Sequence, residues 1–550
     1  MELRTRLLQR LGRESYDVVI IGGGINGAAT AAALAARGAR VALLERGDFA
    51  AGTSQQSSNL IWGGIKYLET YEFALVRQLC LSRNRLLAGY PSRVQEIRFL
   101  LTVDRDFRYS PLWLWLGSCL YWLLGNGATR PPRLLSRRQL DREATPVESA
   151  RSRGGLEYSD AWLPDNDARF VFGFIHAALE RGCCAVNYVE SPGARREAGC
   201  WRVRARDTMD GNEFSLQSKL LLNAAGPWVD RYNRLTGQQT QYRHVFSKGI
   251  HLIVDRLAPS QRILAFFAAD GRLFFAIPMG NRSCIGTTDT PVEEPDTGVT
   301  AADRRFILDN INRHLQLAKP LTEADIIAER CGVRPLAVKG QWEGAHDWLK
   351  LSRQHALEVN PRAGHISIFG GKLTDCINIG DEVSAWVERL GVTLSAAPRR
   401  WYGEPEPALE ADYRRQAAAL ALDNDPMPPA AEPLSRRWWR RYGEGAFELL
   451  DAVRRDPHAL DGIIMGTDYR RCEIDYAGRR EMIVKLEDFL RRRSALAQLF
   501  RRQELADNPG LLEACRILFG ARAREKWAEY FDGCNPLPAP TEQERGPLHR

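Results

Sequence analysis

Residues 16–27 read Tyr16-Asp-Val-Val-Ile-Ile-Gly22-Gly-Gly24-Ile-Asn-Gly27. A short β-branched apolar run leads directly into a glycine-spaced turn. An alanine-rich stretch follows to Arg37, Gly38 stops it, and Val41 to Leu44 forms a second apolar run ending at Glu45. Strand, helix and strand in this order specify a β-α-β unit of a parallel sheet. Gly22 permits the tight turn, Gly24 lets backbone approach a pyrophosphate, and Gly27 allows close packing of helix on strand. The helix start offers free N–H groups to phosphates. Glu45, 18 residues beyond Gly27, is placed to accept hydrogen bonds from ribose hydroxyls and would repel a 2′-phosphate. The pattern therefore predicts a dinucleotide site.

Outward from this unit, Leu220 to Gly226 and His365 to Gly371 read as strands ending in small residues, returns to the same sheet. Between them, Gly249–Val254 and Leu273–Gly286 alternate as strands of a second sheet. After Val392 prolines punctuate the chain and helical patterns dominate to about Glu529. The expected architecture is an α/β Rossmann-like nucleotide-binding domain (1–95, 155–235 and 330–392), an α+β substrate domain with an antiparallel sheet (96–154 and 236–329), and an all-helical C-terminal domain (393–533). A disordered tail is expected over 534–550.

The 550 residues carry 44% hydrophobic and 26% charged side chains and a net charge of +8. Such mild basicity fits an anionic substrate or anionic lipid without requiring nucleic acid. Eleven cysteines without a C-x-x-C pair fit a reducing compartment. The N-terminal segment reads as an amphipathic helix and lacks the apolar core of a signal peptide. Pro111 to Leu124 is 14 residues without charge, about 21 Å as a helix. That is short of a hydrocarbon core of about 30 Å, so the segment reads either as a core helix or as a bilayer-interface helix bearing Trp113, Trp115, Tyr121 and Trp122.

The hydroxyl- and glycine-rich stretch Gly52-Thr-Ser-Gln-Gln-Ser-Ser-Asn-Leu-Ile-Trp-Gly-Gly-Ile-Lys-Tyr67 can run beside an extended cofactor, and a second G-x-G-x-x-G is absent. With Glu157-Tyr-Ser-Asp160, Asp167-Ala-Arg169, Asn223-Ala-Ala-Gly-Pro-Trp228, Lys248-Gly-Ile-His251, Ile285-Gly-Thr-Thr-Asp289, Gly332-Val-Arg-Pro-Leu336, Ser352-Arg-x-His355 and Phe369-Gly-Gly-Lys-Leu-Thr374, it resembles the FAD-dependent glycerol-3-phosphate dehydrogenases, of the aerobic, quinone-linked type related to the glycerol-3-phosphate oxidases. The motifs run in family order over roughly residues 16 to 390.

The resemblance implies FAD as cofactor. It also implies oxidation of sn-glycerol 3-phosphate to dihydroxyacetone phosphate, with electrons leaving to a quinone or to oxygen. Cofactor contacts are implied at Gly22, Gly24, Gly27, Glu45, Thr53, Ser54, Ser58, Gly226, Gly371, Lys372, Leu373 and Thr374. Lys66, Tyr67, Arg334 and Arg353 would surround the substrate, with two guanidinium forks for its phosphate. Lys372 would set positive charge beside a developing alkoxide. At 59, 62 and 66 this chain carries Asn, Trp and Lys, where the family carries Lys, His and Arg. Trp62 cannot act as a base, which leaves His251 and His355 as candidates.

The expected location is the cytoplasm, peripheral on the inner face of the cytoplasmic membrane; a homo-oligomer is left open. One alternative keeps the fold and takes another anionic hydroxy or amino substrate. A second is a nucleic-acid-binding flavoprotein, resting on Arg436-Arg-Trp-Trp-Arg-Arg441, Arg491-Arg-Arg493 and Arg501-Arg502.

Overall fold

The computed structural model describes residues 2–143, 146–148, 150–268, 271–340, 353–395, 400–424 and 432–533. The tail expected over 534–550 and Ser352 of the Ser-Arg-x-His motif lie outside them.

The Ser15–Ile21 strand pairs in parallel with Val41–Leu44 on one side and with Glu213–Asn223 on the other. The sheet continues in parallel to Cys184–Val186 beyond the former and to His365–Phe369 beyond the latter. Covered on both faces, these strands must be apolar throughout, and Val18 to Ile20 are fully buried. The Ile25–Ala35 helix packs between helices Asp167–Glu180 and Cys376–Arg389. Its alanines allow this close approach: Ala28, Ala29 and Ala31 to Ala33 are all solvent-inaccessible.

The second sheet runs Thr290–Val292, Tyr242–Asp255, Arg282–Gly286, Leu273–Met279, Ile263–Phe267, Gln95–Asp104, Ser152–Trp162 and Leu60–Ile61. The Ala328–Lys339 strand pairs with Tyr242–Asp255 from Tyr242 to Ile253, with His251 opposite Arg330 and Ser247 opposite Arg334. Boundaries drawn at 155 and 330 therefore cut through strands of this sheet. Glycines and charged residues such as Gly155, Glu157 and Arg334 obscure the apolar pattern there. Among the described residues, only the pairing of Gln95–Asp104 with Ile263–Phe267 is parallel in this sheet.

The C-terminal region is helical and holds two apolar cores, one centred on Trp438, Trp439 and Leu450 and one on Ile474, Leu490 and Leu511. Its basic clusters are largely buried. Arg492 and Arg493 reach Asp48, just past the second sheet strand, at 2.7 and 2.8 Å. Arg493 also lies 4.0 Å from the Phe172 ring centroid. Arg441 pairs with Asp165 at 3.1 Å, Arg437 with Glu473, and Arg501 donates to the carbonyl of Ile326. Arg441, Arg492, Arg493 and Arg501 in this way join the helical domain to segments beside the two sheets, while Arg437 pairs within the helical domain. They do not form the solvated basic face that nucleic-acid binding needs.

The Pro111–Leu124 helix is neither wholly core nor wholly surface. Ser110 caps it through the Trp113 N–H. Tyr121 is buried, while the indoles of Trp115 and Trp122 donate to the carbonyls of Pro132 and Thr129. Leu112, Trp113, Leu116, Leu120 and Leu123 face outward, Trp113 at 69% exposure. Of the four aromatic residues expected at an interface, Trp113 alone lies on the open face. No described helix is long and apolar enough to cross a membrane.

Candidate active site

The fingerprint turn is built for close backbone approach. Gly22 has φ +107°, and a Cβ there would lie 2.5 Å from the Ala224 carbonyl oxygen. At Gly27 a Cβ would lie 1.9 Å from the Gly22 oxygen. Both glycines are therefore demanded by internal packing. Gly24 differs: an added Cβ would meet only Ser54 Oγ, at 3.2 Å. Its open side is where a phosphate can approach the helix start. Ser54 Oγ accepts the Ile25 N–H at 3.0 Å, and Thr53 ties the same loop to the Val333 carbonyl at 2.7 Å. Glu45 is at the end of its strand, accepting the N–H groups of Gly23 (2.7 Å) and Gly47 (2.8 Å). Burial raises its carboxyl above the ordinary range despite those donors. Gly226 and Gly371 both have positive φ, +57° and +97°. Asn26, inside the fingerprint, donates to the Gly370 carbonyl at 2.9 Å and so joins the first turn to the last.

Lys372, Leu373 and Thr374 begin the turn before the Cys376–Arg389 helix. Thr374 Oγ1 both accepts the Trp62 N–H, at 3.1 Å, and faces the Trp62 carbonyl, at 3.3 Å. The loop Trp62–Leu68 is thereby fixed over the turn. The Lys372 ammonium lies 4.1 Å from the Tyr67 ring centroid and 5.5 Å from that of Trp62. Burial lowers the Lys372 pKa. Burial also acts to raise Tyr67, but Lys372 and Arg353 outweigh it and hold the phenol below its usual value. Lys66 is half-buried in the same loop.

Two guanidiniums meet on one carboxylate. Asp289 pairs with Arg353 at 2.7 Å and with Arg334 at 3.5 Å, and accepts a hydrogen bond from Ser247. Burial would raise Asp289, but the two arginines hold it below the ordinary carboxylate range. Arg334 is pushed down to about 10 by burial, which Asp289 only partly offsets. Its guanidinium lies across Gly249, where a Cβ would be 2.3 Å away. Asp289 was visible in the sequence as the end of Ile285-Gly-Thr-Thr-Asp289, but nothing in the spacing marked it as the shared partner of both arginines.

The two candidate histidines occupy different environments. His251 is buried, with Nε2 2.8 Å from Ser58 Oγ and Nδ1 without a partner among the described residues. Burial, reinforced by Arg330 and Arg334, holds it well below the ordinary histidine range, so it is neutral. His355 is clamped between Asp375 (2.7 Å) and Glu382 (3.1 Å). Burial lowers it, but the two carboxylates override this and raise it to about 9. Asn59 adopts a left-handed φ of +57°. Its side-chain oxygen faces the Asp167 N–H at 3.3 Å and Arg330 at 3.4 Å, which makes it part of the scaffold. Trp62 stands at the site itself.

Among the described residues, Lys372 Nζ, the Trp62 indole nitrogen and His251 Nδ1 are buried and have no hydrogen-bond partner. Orphans of this kind are costly in a finished protein; the first two lie together, with Lys372 5.5 Å from the Trp62 ring centroid, where a bound flavin and a polar substrate would supply acceptors and donors. The open approach at Gly24 and these groups fit a dinucleotide whose reactive end lies by Lys372.

The FAD dependent oxidoreductase family profile matches residues 17–359, and that of the C-terminal domain of alpha-glycerophosphate oxidase matches 410–520. A glycerol-3-phosphate dehydrogenase of Pseudomonas aeruginosa is 34% identical over 496 residues, 88% of this chain and 92% of that protein. The chain belongs to the FAD-dependent glycerol-3-phosphate dehydrogenase family. Another relative, the D-erythritol 1-phosphate dehydrogenase of Brucella abortus, is 31% identical over 88% of this chain and 94% of its own. Among solved structures, the glycerol-3-phosphate dehydrogenase from Bacillus halodurans complexed with FAD shares the fold. Its TM-score is 0.70 at 23% identity, covering 96% of this chain and 95% of that one. As a member of this family the chain is an FAD-dependent oxidoreductase.

Proposed function

We propose that the protein oxidises sn-glycerol 3-phosphate to dihydroxyacetone phosphate, with a quinone or oxygen as the final electron acceptor. The observation that carries this reading is the convergence of Arg334 and Arg353 on Asp289 beside Lys372 and Tyr67. A phosphate dianion offers both guanidiniums a stronger acceptor than one shared carboxylate. FAD, when bound, supplies the hydride acceptor. Lys372 stabilises negative charge on the reacting oxygen. Tyr67, its phenol made more acidic by that ammonium, donates to the same oxygen, and Lys66 adds charge at the pocket mouth. His251 takes the hydroxyl proton. With Nε2–H donating to Ser58, its Nδ1 has a free lone pair, and the ring is neutral. His355 is already protonated near pH 7 and serves to hold the start of the Cys376–Arg389 helix. The protein works at a membrane surface without spanning it.

A second reading, a longer polyol phosphate, is favoured by Trp62, whose unpartnered indole N–H could bind an additional hydroxyl. Anaerobic flavin bleaching with glycerol 3-phosphate, D-erythritol 1-phosphate and unphosphorylated glycerol tests both. The first reading expects efficient bleaching by glycerol 3-phosphate and at least a hundredfold weaker response to glycerol. Preference for the four-carbon substrate selects the second. In His251→Asn the bleaching rate is expected to fall about 100-fold or more, and an unchanged rate and pH profile would remove His251 as the base.

A further inference from the structure

Gly63, directly after Trp62 in the Trp62–Tyr67 loop, donates its backbone N–H to Asp160 at 3.2 Å. Asp160 is completely buried and is held by two other donors, Arg83 at 2.8 Å and the Tyr121 hydroxyl at 2.7 Å. Tyr121 belongs to the Pro111–Leu124 helix, whose other side carries the exposed Leu112, Trp113, Leu116, Leu120 and Leu123. The contact with the loop is also steric. A Cβ on Gly63 would lie 2.2 Å from the Tyr121 hydroxyl oxygen. One residue thus touches both an outward apolar helix and the loop that carries Trp62, Lys66 and Tyr67.

The open face has a matching occupant. Between Arg105 and Arg138 the chain has six arginines and one acidic residue, Asp106, and all six arginines are exposed. Arg108, Arg130 and Arg133 share surface carboxylates with Glu69, Glu96 and Glu143. Exposed pairs are weak, so lipid phosphates can compete for these cations. Apolar side chains flanked by arginines suit the headgroup region of an anionic bilayer.

We propose that Tyr121 and Asp160 are positioning residues for the substrate loop, and that seating the Pro111–Leu124 helix on an anionic bilayer acts through them to tighten substrate binding. The proposal rests on the glycerol 3-phosphate reading above. Tyr121 touches no substrate; its hydroxyl fixes Asp160, and Asp160 fixes the height of the loop backbone over Lys372. Losing the hydroxyl should therefore change substrate affinity more than the chemical step.

The test compares holoenzyme and Tyr121→Phe in anaerobic flavin bleaching against glycerol 3-phosphate. Both are assayed with and without vesicles of mixed phosphatidylcholine and phosphatidylglycerol, alongside flotation. Wild type should float and show a lower half-saturating substrate concentration when vesicles are present. Tyr121→Phe should float equally, with a half-saturating concentration raised roughly 5- to 10-fold, as for partial loss of one hydrogen bond to a charged acceptor. That value should no longer respond to vesicles, and the maximal bleaching rate should stay within about twofold of wild type.

A wild-type half-saturating value in Tyr121→Phe, or a retained vesicle response, overturns the relay. If wild type does not float, the bilayer half is wrong and the positioning role stands or falls on the vesicle-free value alone. Failure of wild type to bleach with glycerol 3-phosphate while another polyol phosphate succeeds would refute the substrate reading; the same comparison is then made with the active substrate. Gly63→Ala guards against a folding artefact: it should raise the half-saturating value in wild type but less in the Tyr121→Phe background, where the nearest clashing atom is gone. Strict additivity of the two substitutions argues against the relay.

Discussion

At Asp289 one carboxylate restrains two arginines that would otherwise repel each other. Arg334→Ala and Arg353→Ala should each raise the half-saturating concentration of glycerol 3-phosphate more than they slow bleaching. Each charge-assisted contact is worth about 1.5–3 kcal/mol, so kcat/KM should fall roughly 10- to 150-fold; unchanged kinetics in both would remove the pair from the phosphate site. His355 gives a prediction about stability. Its pKa is about 9 in the folded protein, against an ordinary 6.5. The native state therefore binds its proton more tightly than the unfolded chain does. The resulting stabilisation, on the order of 3 kcal/mol, is fully present below about pH 6.5 and is lost as pH rises through about 9. Urea unfolding of wild type and His355→Gln should therefore give curves that differ most at pH 6 and converge above pH 9. A constant difference across that range would contradict the ion-pair account.

Among the elements, the Pro111–Leu124 helix is the one whose role depends on what it faces. Trp113 and Leu123 are 69% and 62% exposed. Replacing both with Ser should reduce flotation with anionic vesicles at least tenfold, since each forfeits apolar transfer worth about 1.5–3 kcal/mol when fully buried. Flotation equal to wild type would show that the membrane contact lies elsewhere. The same helix marks where sequence reading reaches its limit. Its length and lack of charge were legible. Which aromatics packed inward was not, because that is decided by Asp160 and the Thr129–Pro132 segment, remote partners that no helical period encodes. The fingerprint strand, turn and helix were legible because their determinants are local. The same holds for the glycine turn at 370–371, where positive φ requires glycine. The second-sheet edges at 152 and 328 were not, because their strands carry paired polar residues. Arg491 to Arg493 read as a basic patch because the acceptors they reach, Asp48 for Arg492 and Arg493 and the Gln55 carbonyl for Arg491, are more than 400 residues away. His251 and His355 were equivalent as letters; two carboxylates beside one and none beside the other separate them.

Over the whole molecule, the helical domain is fastened to the nucleotide-binding domain through buried charge. Burial alone would raise Asp48, but Arg493 and Arg492 hold its pKa below the ordinary range. Asp48→Ala would leave two buried guanidiniums short of a partner, a loss of about 3–5 kcal/mol. The midpoint of thermal unfolding should fall by several degrees, and FAD should be released more readily on dilution, because Arg491 and Arg492 also hold the Gln55 region of the loop. A thermal midpoint and cofactor retention equal to wild type would show that the two domains do not depend on this contact.

The parallel sheet joins strands that begin at Ser15, Glu213 and His365. During synthesis the first of these leaves the ribosome some 200 residues before its neighbour on one side exists. At about 5–20 residues per second, the apolar run Val18 to Ile21 waits for tens of seconds or less with one edge unpaired, and the wait for Arg492 and Arg493 is longer still. The nascent chain is thus exposed to misassociation for most of its translation. Slower elongation over the first 200 codons would lengthen the exposure without helping the sheet to close, whereas faster elongation, or a chaperone holding the amino-terminal third, would raise the yield of soluble protein.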